Sequence, residues 1–293
     1  VTPRVDVVVL TMNDRPKEEA FAQKTLQAQT GVEVRVCVVG NGCTPQVVPP
    51  GAITVALPEN AGIPGGRNAG VDALREAGDP AEYVFFLDND ACLPRPDVLV
   101  RLVASAEEHP DAAYVQPRLT GPDDTTTPRR WVPRLRTGDP ERPGIITSMT
   151  EGVVLIRRHV FDEAGGWEGS FFLYHEGLDL AYRFWSAGYT GWYAASIRMH
   201  HPLTAPIRHP LFHRLSARNR IWVAYRNFPT PLIPLYLGTW TVITLARALR
   251  MGGLRETLSG LREGWATRHE QVHRPMDWST MRRLTAAGRP PII

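Results

Sequence analysis

Two aspartates spaced by one residue, Asp88-Asn89-Asp90, follow directly on the apolar run Tyr83-Val84-Phe85-Phe86-Leu87. Carboxylates so placed at a strand end can grip a divalent cation, and hard oxygen ligands suit Mg²⁺ or Mn²⁺. Such a cation would act as a Lewis acid on a leaving diphosphate. The same triplet can also be a turn whose aspartates cap the next segment. His200-His201 closes a later extended stretch, and a histidine there can ligand the same metal through a ring nitrogen. A second cluster runs from Asn60 to Gly70, Asn-Ala-Gly-Ile-Pro-Gly-Gly-Arg-Asn-Ala-Gly. Its glycines let a backbone approach a ligand and present amide donors, and Arg67 suits a phosphate or carboxylate. Packing at the start of a helix is the plainer explanation. The spacing fits neither the dinucleotide fingerprint nor the Gly-Lys-Ser/Thr phosphate loop. Glu176 and Asp179 form the third cluster. Three positions apart on a helix they share a face, and one could be a general base toward a sugar hydroxyl. Alternatively they are first-turn acids favoured by the helix dipole, with Asp179 paired to Arg183.

These residues need a frame. Val5–Leu10, Val32–Val39, Ile53–Leu57 and Tyr83–Leu87 are short, largely β-branched or aromatic runs, while Lys17–Gln29 and Pro64–Ala77 are rich in helix formers. Strands alternating with helices over the first 120 residues predict an α/β fold, a doubly wound and mostly parallel sheet flanked by helices. Ligands of such sheets bind beyond the carboxyl ends of the strands. The polar clusters at 11–15, 40–44 and 88–90 all fall there. Residues 118–147 lack periodicity and read as one long loop. Met149–Ile156 returns to strand character, Glu176–Ala187 reads as a helix and Tyr189–His200 as extended.

Past residue 210 the character changes. Arginines interleave with aromatic and aliphatic residues, and Pro231–Leu249 is strongly apolar before Arg250. Either a helical cap on the catalytic domain or a segment lying on a membrane surface satisfies this pattern. The expected organisation is a catalytic domain over 1–210, divided into 1–117 and 118–210, and a basic, apolar helical extension over 211–293, with membrane-surface contact through 211–250. A net charge of +3 and a pI near 8.9 are too mild for a nucleic-acid partner and suit an anionic small molecule or a membrane surface. Three cysteines without paired spacing make neither a disulfide framework nor a zinc site, and a reducing cytoplasm is the simplest home. No export signal is visible at the first residues.

Taken in order, the clusters resemble the family-2 glycosyltransferases, which have the GT-A fold; the resemblance covers roughly residues 5–201. Val7–Arg15 looks like the family's opening strand, whose end contacts the nucleoside, and Val38–Thr44 like its second nucleotide segment. Asn60–Gly70 matches the Asn-x-Gly…Arg-Asn-x-Gly segment. Asp88-Asn89-Asp90 sits where the metal-binding acidic motif belongs. Gly165-Gly166-Trp167 with Phe171-Phe172 looks like the acceptor-side turn. Glu176…Asp179-Leu180…Arg183 looks like the Glu-Asp-x-Asp-Leu helix, and His200 or His201 falls at a third metal ligand.

The resemblance implies an inverting transfer of a sugar from a nucleoside-diphosphate donor to a hydroxyl acceptor, in cell-envelope glycan or natural-product synthesis, with Mn²⁺ or Mg²⁺. It assigns Thr11, Asn13, Arg15, Asn41, Asn60, Gly62, Arg67, Asn68, Asp88 and Asn89 to the donor and Asp88, Asp90 and a histidine to the metal. Trp167, Phe172 and His175 fall to the acceptor, and Glu176 or Asp179 to catalysis. It also implies a lipid-linked or small-molecule acceptor and a cytoplasmic enzyme, peripheral on the inner face of the membrane. Two positions depart from the family. Gly40 replaces an acid that reads uracil, leaving dTDP and GDP sugars open beside UDP. Gly177 replaces the family's second acid, a usual base, so catalysis falls to Glu176 or Asp179, and Glu176, which precedes the vacant position and has the longer side chain, is the expected base. Other classes fit less well. A haloacid-dehalogenase-type phosphatase would carry its Asp-x-Asp earlier, and a pyrophosphorylase would open on its glycine-rich loop. An inactive nucleotide-sugar-binding homologue is the third rival.

Overall fold

The computed structural model describes residues 2–134, 136–203 and 209–291. The first half alternates β1 (Arg4–Thr11), α1 (Pro16–Gln27), β2 (Glu33–Gly40), β3 (Ile53–Ala56), α2 (Gly62–Glu76), β4 (Tyr83–Asp88), α3 (Val98–Glu108) and β5 (Ala112–Thr120). Then come β6 (Gly144–Ile146), β7 (Val153–Arg157), α4 (Arg158–Glu163), α5 (Glu176–Ser186) and β8 (Thr190–His200). The chain ends in α6 (Phe212–Asn227), α7 (Ile233–Met251), α8 (Leu254–Thr267) and α9 (Trp278–Ala286).

One eight-stranded sheet runs in the order β3-β2-β1-β4-β7-β5-β8-β6. Strands β1–β4 are mutually parallel and β5 is parallel to β8, while β7 runs antiparallel to β4 and β5, and β6 to β8. The sheet is therefore mostly parallel, as the alternation predicts. Its central strands are buried on both faces, the reason they read as unbroken apolar runs. Val5, Val7 and Val9 belong to one core with α3, while Val8 belongs to a second core with α2, α4 and α5. Phe85 and Leu87 divide from Val84 and Phe86 in the same way, as strand alternation requires.

A third core joins the C-terminal helices to α5: Leu178, Tyr182 and Trp185 meet Trp222, Val223, Phe228, Tyr236 and Met281. α5 thus packs on the sheet through Leu180, Ala181 and Phe184 and on α6 and α9 through its other side.

The expectation of one long loop over 118–147 is corrected. β5 continues through the buried Leu119 and Thr120 alongside β8, and Gly144–Ile146 adds an edge strand. Three residues led by a glycine carry too little alternation to announce a strand.

Candidate active site

The carboxyl ends of β1, β2 and β4 lie level, with Leu10 beside both Val39 and Asp88. Antiparallel β7 fixes Asp88 from the other side, for the Asp88 amide donates to the Gly152 carbonyl at 2.8 Å. A Cβ at Gly152 would lie 2.0 Å from Asp88 Oδ2, so only glycine leaves the carboxylate its place. Arg67 of α2 is buried and donates to Asp88 Oδ1 at 2.9 Å. Its guanidinium packs against the rings of Phe86 and Trp167 at 5.6 and 5.2 Å. The arginine expected to grip a donor phosphate thus has its hydrogen bond to the acidic motif. Burial alone would raise the Asp88 carboxyl, but the His201 hydrogen bond and the Arg67 charge outweigh it and bring it down to about 2. Asp88 is therefore an anion at neutral pH.

Asp88, Asp90 and His201 bring one ligating atom each to within 4.8 Å of one another. His201 Nε2 lies 3.3 Å from Asp90 and 3.7 Å from Asp88. Two carboxylates and an imidazole form a donor set that fits Mn²⁺ or Mg²⁺. His200 is directed elsewhere, its Nε2 3.0 Å from Asp124. Adjacent residues of an extended chain project to opposite sides, so one histidine of the pair joins the acids and the other braces β8. Arg15 forms an ion pair with Asp90.

A cleft of about 390 Å³ opens over these groups, lined by Thr11, Arg15, Asn41, Asn60, Gly62, Asp88, Asn89, Phe172 and His201 among others. Asn41 builds its wall. The side chain donates to Asn60 Oδ1 at 2.9 Å and to the Gly62 carbonyl at 3.1 Å, and accepts from the Ala61 amide at 2.8 Å. Gly62 has φ +73°, and a Cβ there would sit 2.4 Å from the Phe172 carbonyl. Farther along α2, a Cβ at Gly66 or Gly70 would strike Leu10 or Val8, so these glycines serve helix-to-strand packing. Gly40 lacks a side chain for a comparable reason, since its Cβ would lie 2.1 Å from the Cys43 carbonyl. The tight turn there excludes an acid.

Other expected donor residues also make hydrogen bonds within the walls. Asn13, at φ +56°, donates to the Thr44 carbonyl and accepts from the Gln46 amide. Asn68 clamps the Trp167 backbone, donating to its carbonyl at 2.8 Å and accepting from its amide at 3.0 Å. Thr11 gives its hydroxyl to Glu19 at 2.7 Å. Trp167, expected beside an acceptor, is 2% exposed and belongs to the second core.

A second cavity of about 480 Å³ adjoins the first through Tyr174, and its walls include Glu151, His175, Arg220, Trp240 and Arg247. The loop between the cavities is strained, with Phe172, Tyr174 and His175 all at φ between 63° and 71°. Such strain persists only where surrounding contacts hold it. Asn219 of α6 supplies them, donating to the carbonyls of Phe171, Leu173 and Tyr174 at 3.0, 2.8 and 2.7 Å. Sequence reasoning missed Asn219, which lies within an arginine-rich helix with no local sign of a loop partner. Burial holds the His175 imidazole well below its usual range, so the ring is neutral. A larger groove of about 1040 Å³, between α3 and β8, is lined by Asp124, the partner of His200, but by none of the residues expected at the site.

The two expected catalytic acids part ways. Asp179 is fully buried. It accepts from Arg183 at 2.9 Å and from Arg226 and Asn227 at 2.8 Å each, so it anchors α6 to α5, and it lines neither of the two cavities. Glu176 is 2% exposed, with one carboxylate oxygen lacking a partner. Burial, reinforced by the neighbouring Glu151 charge, pushes its carboxyl up. Glu151 accepts from the Gly177 amide at 3.1 Å, and burial raises it too. No local pattern marked Glu151; the missing side chain at Gly177 was the one sign that something else fills that space.

Comparison with known proteins agrees with this geometry. The sequence model described as Glycosyl transferase family 2 matches residues 6–165. An N-acetylglucosaminyl-diphospho-decaprenol L-rhamnosyltransferase of Mycobacterium tuberculosis is 26% identical over an alignment of 253 positions, covering 73% of this chain and 81% of the relative. Among solved structures, the mannosyltransferase PcManGT from Pyrobaculum calidifontis, in complex with GDP-Man and Mn²⁺, superposes with a TM-score of 0.58. It is 18% identical, over 98% of this chain and 86% of that one. GalNAc-T7 with UDP, GalNAc and Mn²⁺ gives 0.61 at 14% identity, over 97% of this chain and 57% of that one. A matched segment spanning more than half the chain, a mostly parallel sheet of GT-A type and an acidic motif at its carboxyl edge agree: the chain belongs to glycosyl transferase family 2 and is a glycosyltransferase.

Proposed function

We propose that this glycosyltransferase moves a sugar, with inversion, from a nucleoside-diphosphate donor to a hydroxyl of a lipid-linked cell-envelope acceptor at the cytoplasmic membrane surface. The observation that carries the reading is the convergence of Asp88, Asp90 and His201 in the cleft at the carboxyl ends of β1 and β4. A divalent cation bound by those three side chains would supply the charge that stabilises a leaving diphosphate. Thr11, Asn41, Asn60 and Gly62 form the nucleotide side of the cleft, and Arg67 keeps Asp88 ionised and in position. The cavity beyond Tyr174 takes the acceptor, and a carboxylate of the Glu151–Glu176 pair removes the proton from its attacking hydroxyl.

The membrane element of the proposal rests on α7. The segment Thr230–Met251 is long and apolar enough to cross a membrane, but only 11% of its 18-residue apolar window is buried. Leu235, Val242 and Leu249 are exposed, as are Leu258 and Trp265 of α8, with Arg247, Arg250, Arg255 and Arg262 beside them. An apolar face edged by arginines suits a helix lying in the surface of an anionic bilayer. Residues 1–210 then carry the donor side and one wall of the acceptor cavity, and 211–293 supply its other wall and bring it to the lipid. The diphospho-lipid acceptor named in the mycobacterial relative supports that class of substrate.

A thermal-shift panel of UDP, dTDP and GDP with and without Mn²⁺ tests the donor half. Ligand at about 100 times its Kd stabilises by about 2.7 kcal/mol, so one nucleotide should raise Tm only when Mn²⁺ is present. Donor sugars of that nucleotide are then offered with a synthetic N-acetylglucosaminyl-diphospho-lipid in anionic vesicles. No Mn²⁺-dependent shift with any of the three would refute the proposal.

A further inference from the structure

We infer that Glu151, which lies far in sequence from every motif, is the general base that deprotonates the acceptor hydroxyl; the inference rests on the glycosyl-transfer reading above. Three geometric observations single it out from the other acids. First, Glu151 borders the cavity beyond Tyr174, whereas Glu176 lines neither cavity and is 2% exposed. A base must reach the proton that it removes. Second, Glu151 precedes Gly152, whose carbonyl accepts from the Asp88 amide at 2.8 Å. The antiparallel pairing of β7 with β4 therefore sets the Glu151 backbone beside the proposed metal-binding carboxylate, at the donor end of the acceptor cavity. Third, the side chain occupies space that residue 177 leaves open. A Cβ at Gly177 would lie 2.4 Å from Glu151 Cγ, and the Gly177 amide donates to Glu151 Oε1 at 3.1 Å. That hydrogen bond uses one oxygen and fixes the carboxylate's orientation.

The turn holding Glu151 is itself fixed. The Thr150 amide donates to Gln116 Oε1 at 2.8 Å, and Gln116 donates from Nε2 to the Val153 carbonyl at 2.7 Å. Gln116 is completely buried in β5, so the carboxylate stands on the sheet rather than on a loose loop. In the step proposed, the acceptor hydroxyl oxygen forms a bond to the anomeric carbon and its proton passes to Glu151. The bond from the anomeric carbon to the phosphate oxygen breaks, and the nucleoside diphosphate leaves with the electron pair. Glu176, 2% exposed and next to Gly177, lies beneath as a positioning residue.

The test uses the 293-residue chain and its variants and reads nucleoside diphosphate released from UDP-, dTDP- and GDP-sugars, with water and with the synthetic diphospho-lipid as acceptors. Glu151→Gln should lower kcat about 100-fold or more, while the Mn²⁺-dependent thermal shift by the nucleotide is retained. Glu176→Gln should lose clearly less. The exchange Glu151→Ala with Gly177→Asp, which moves the carboxylate across the contact, should recover turnover over Glu151→Ala alone. A purely structural Glu151 would give no such recovery. Near-parental kcat in Glu151→Gln, or a larger loss in Glu176→Gln, would overturn the inference and leave glycosyl transfer standing. Absence of release by the parent chain with every donor would overturn both.

Discussion

Asp179 distinguishes structure from catalysis most sharply, because its motif position suits a base while its surroundings suit an anchor. The perturbation is Asp179→Asn, which keeps the shape and removes the charge facing Arg183 and Arg226. Removing one partner of a buried ion pair costs about 3–5 kcal/mol, since the remaining charges stay buried and uncompensated. With an unfolding entropy of about 2.1 cal/mol/K per residue, 293 residues give about 0.6 kcal/mol/K, so Tm should fall by about 5–8 °C. The effect has a pH signature. Burial opposes ionisation of Asp179, but Arg183, Arg226 and Asn227 overcome it and hold the carboxyl below its ordinary 3.8. A depressed carboxyl stabilises the fold above the unfolded value and loses that contribution as pH falls through the folded one. The Tm gap between parent and variant should be full at pH 7 and close in acid below about pH 4. Calorimetry across that range, with turnover measured well below the variant's Tm, checks both parts. An unchanged Tm accompanied by a turnover loss of about 100-fold would refute the anchor and return Asp179 to the chemistry.

Two further outcomes follow from the proposed metal site at Asp88, Asp90 and His201. His201→Ala should raise the Mn²⁺ concentration needed for nucleotide stabilisation by about tenfold or more, as expected for loss of a ligand. His200→Ala, which breaks only the contact with Asp124, should leave that concentration near the parent's; the reverse order in a Mn²⁺ titration followed by thermal shift would exchange the two histidines. Gly152→Ala places a Cβ 2.0 Å from Asp88 Oδ2. It should weaken the Mn²⁺ dependence by about 10–100-fold through displacement of the carboxylate, and a titration matching the parent's would show that Asp88 has freedom the packing does not suggest.

Much of the architecture was legible because it is local. Buried parallel strands must be apolar throughout, so Val5–Leu10 and Tyr83–Leu87 declare themselves, and the change to Asp88-Asn89-Asp90 marks a strand end. The acidic triplet, the glycine-led start of α2 and the class of the sheet all rest on such runs. Residue roles were not local. Asn68 and Arg67 carry the expected motif, yet one clamps Trp167 and the other packs on aromatic rings and donates to Asp88. In both cases the partner comes from another element.

The sequence by itself therefore determined where the polar edge of the sheet lies and that acids and histidines stand there. Periodicity and strand ends are properties of contiguous residues. Only the tertiary structure decided which carboxylate borders the cavity beyond Tyr174, since that depends on β7 running antiparallel beside β4 and on a gap at Gly177 filled from residue 151. It likewise separated His201 from His200 and turned Asp179 into an anchor. The exposed face of α7 is also a tertiary result, for an apolar helix reads alike in sequence whether a core or only solvent covers it.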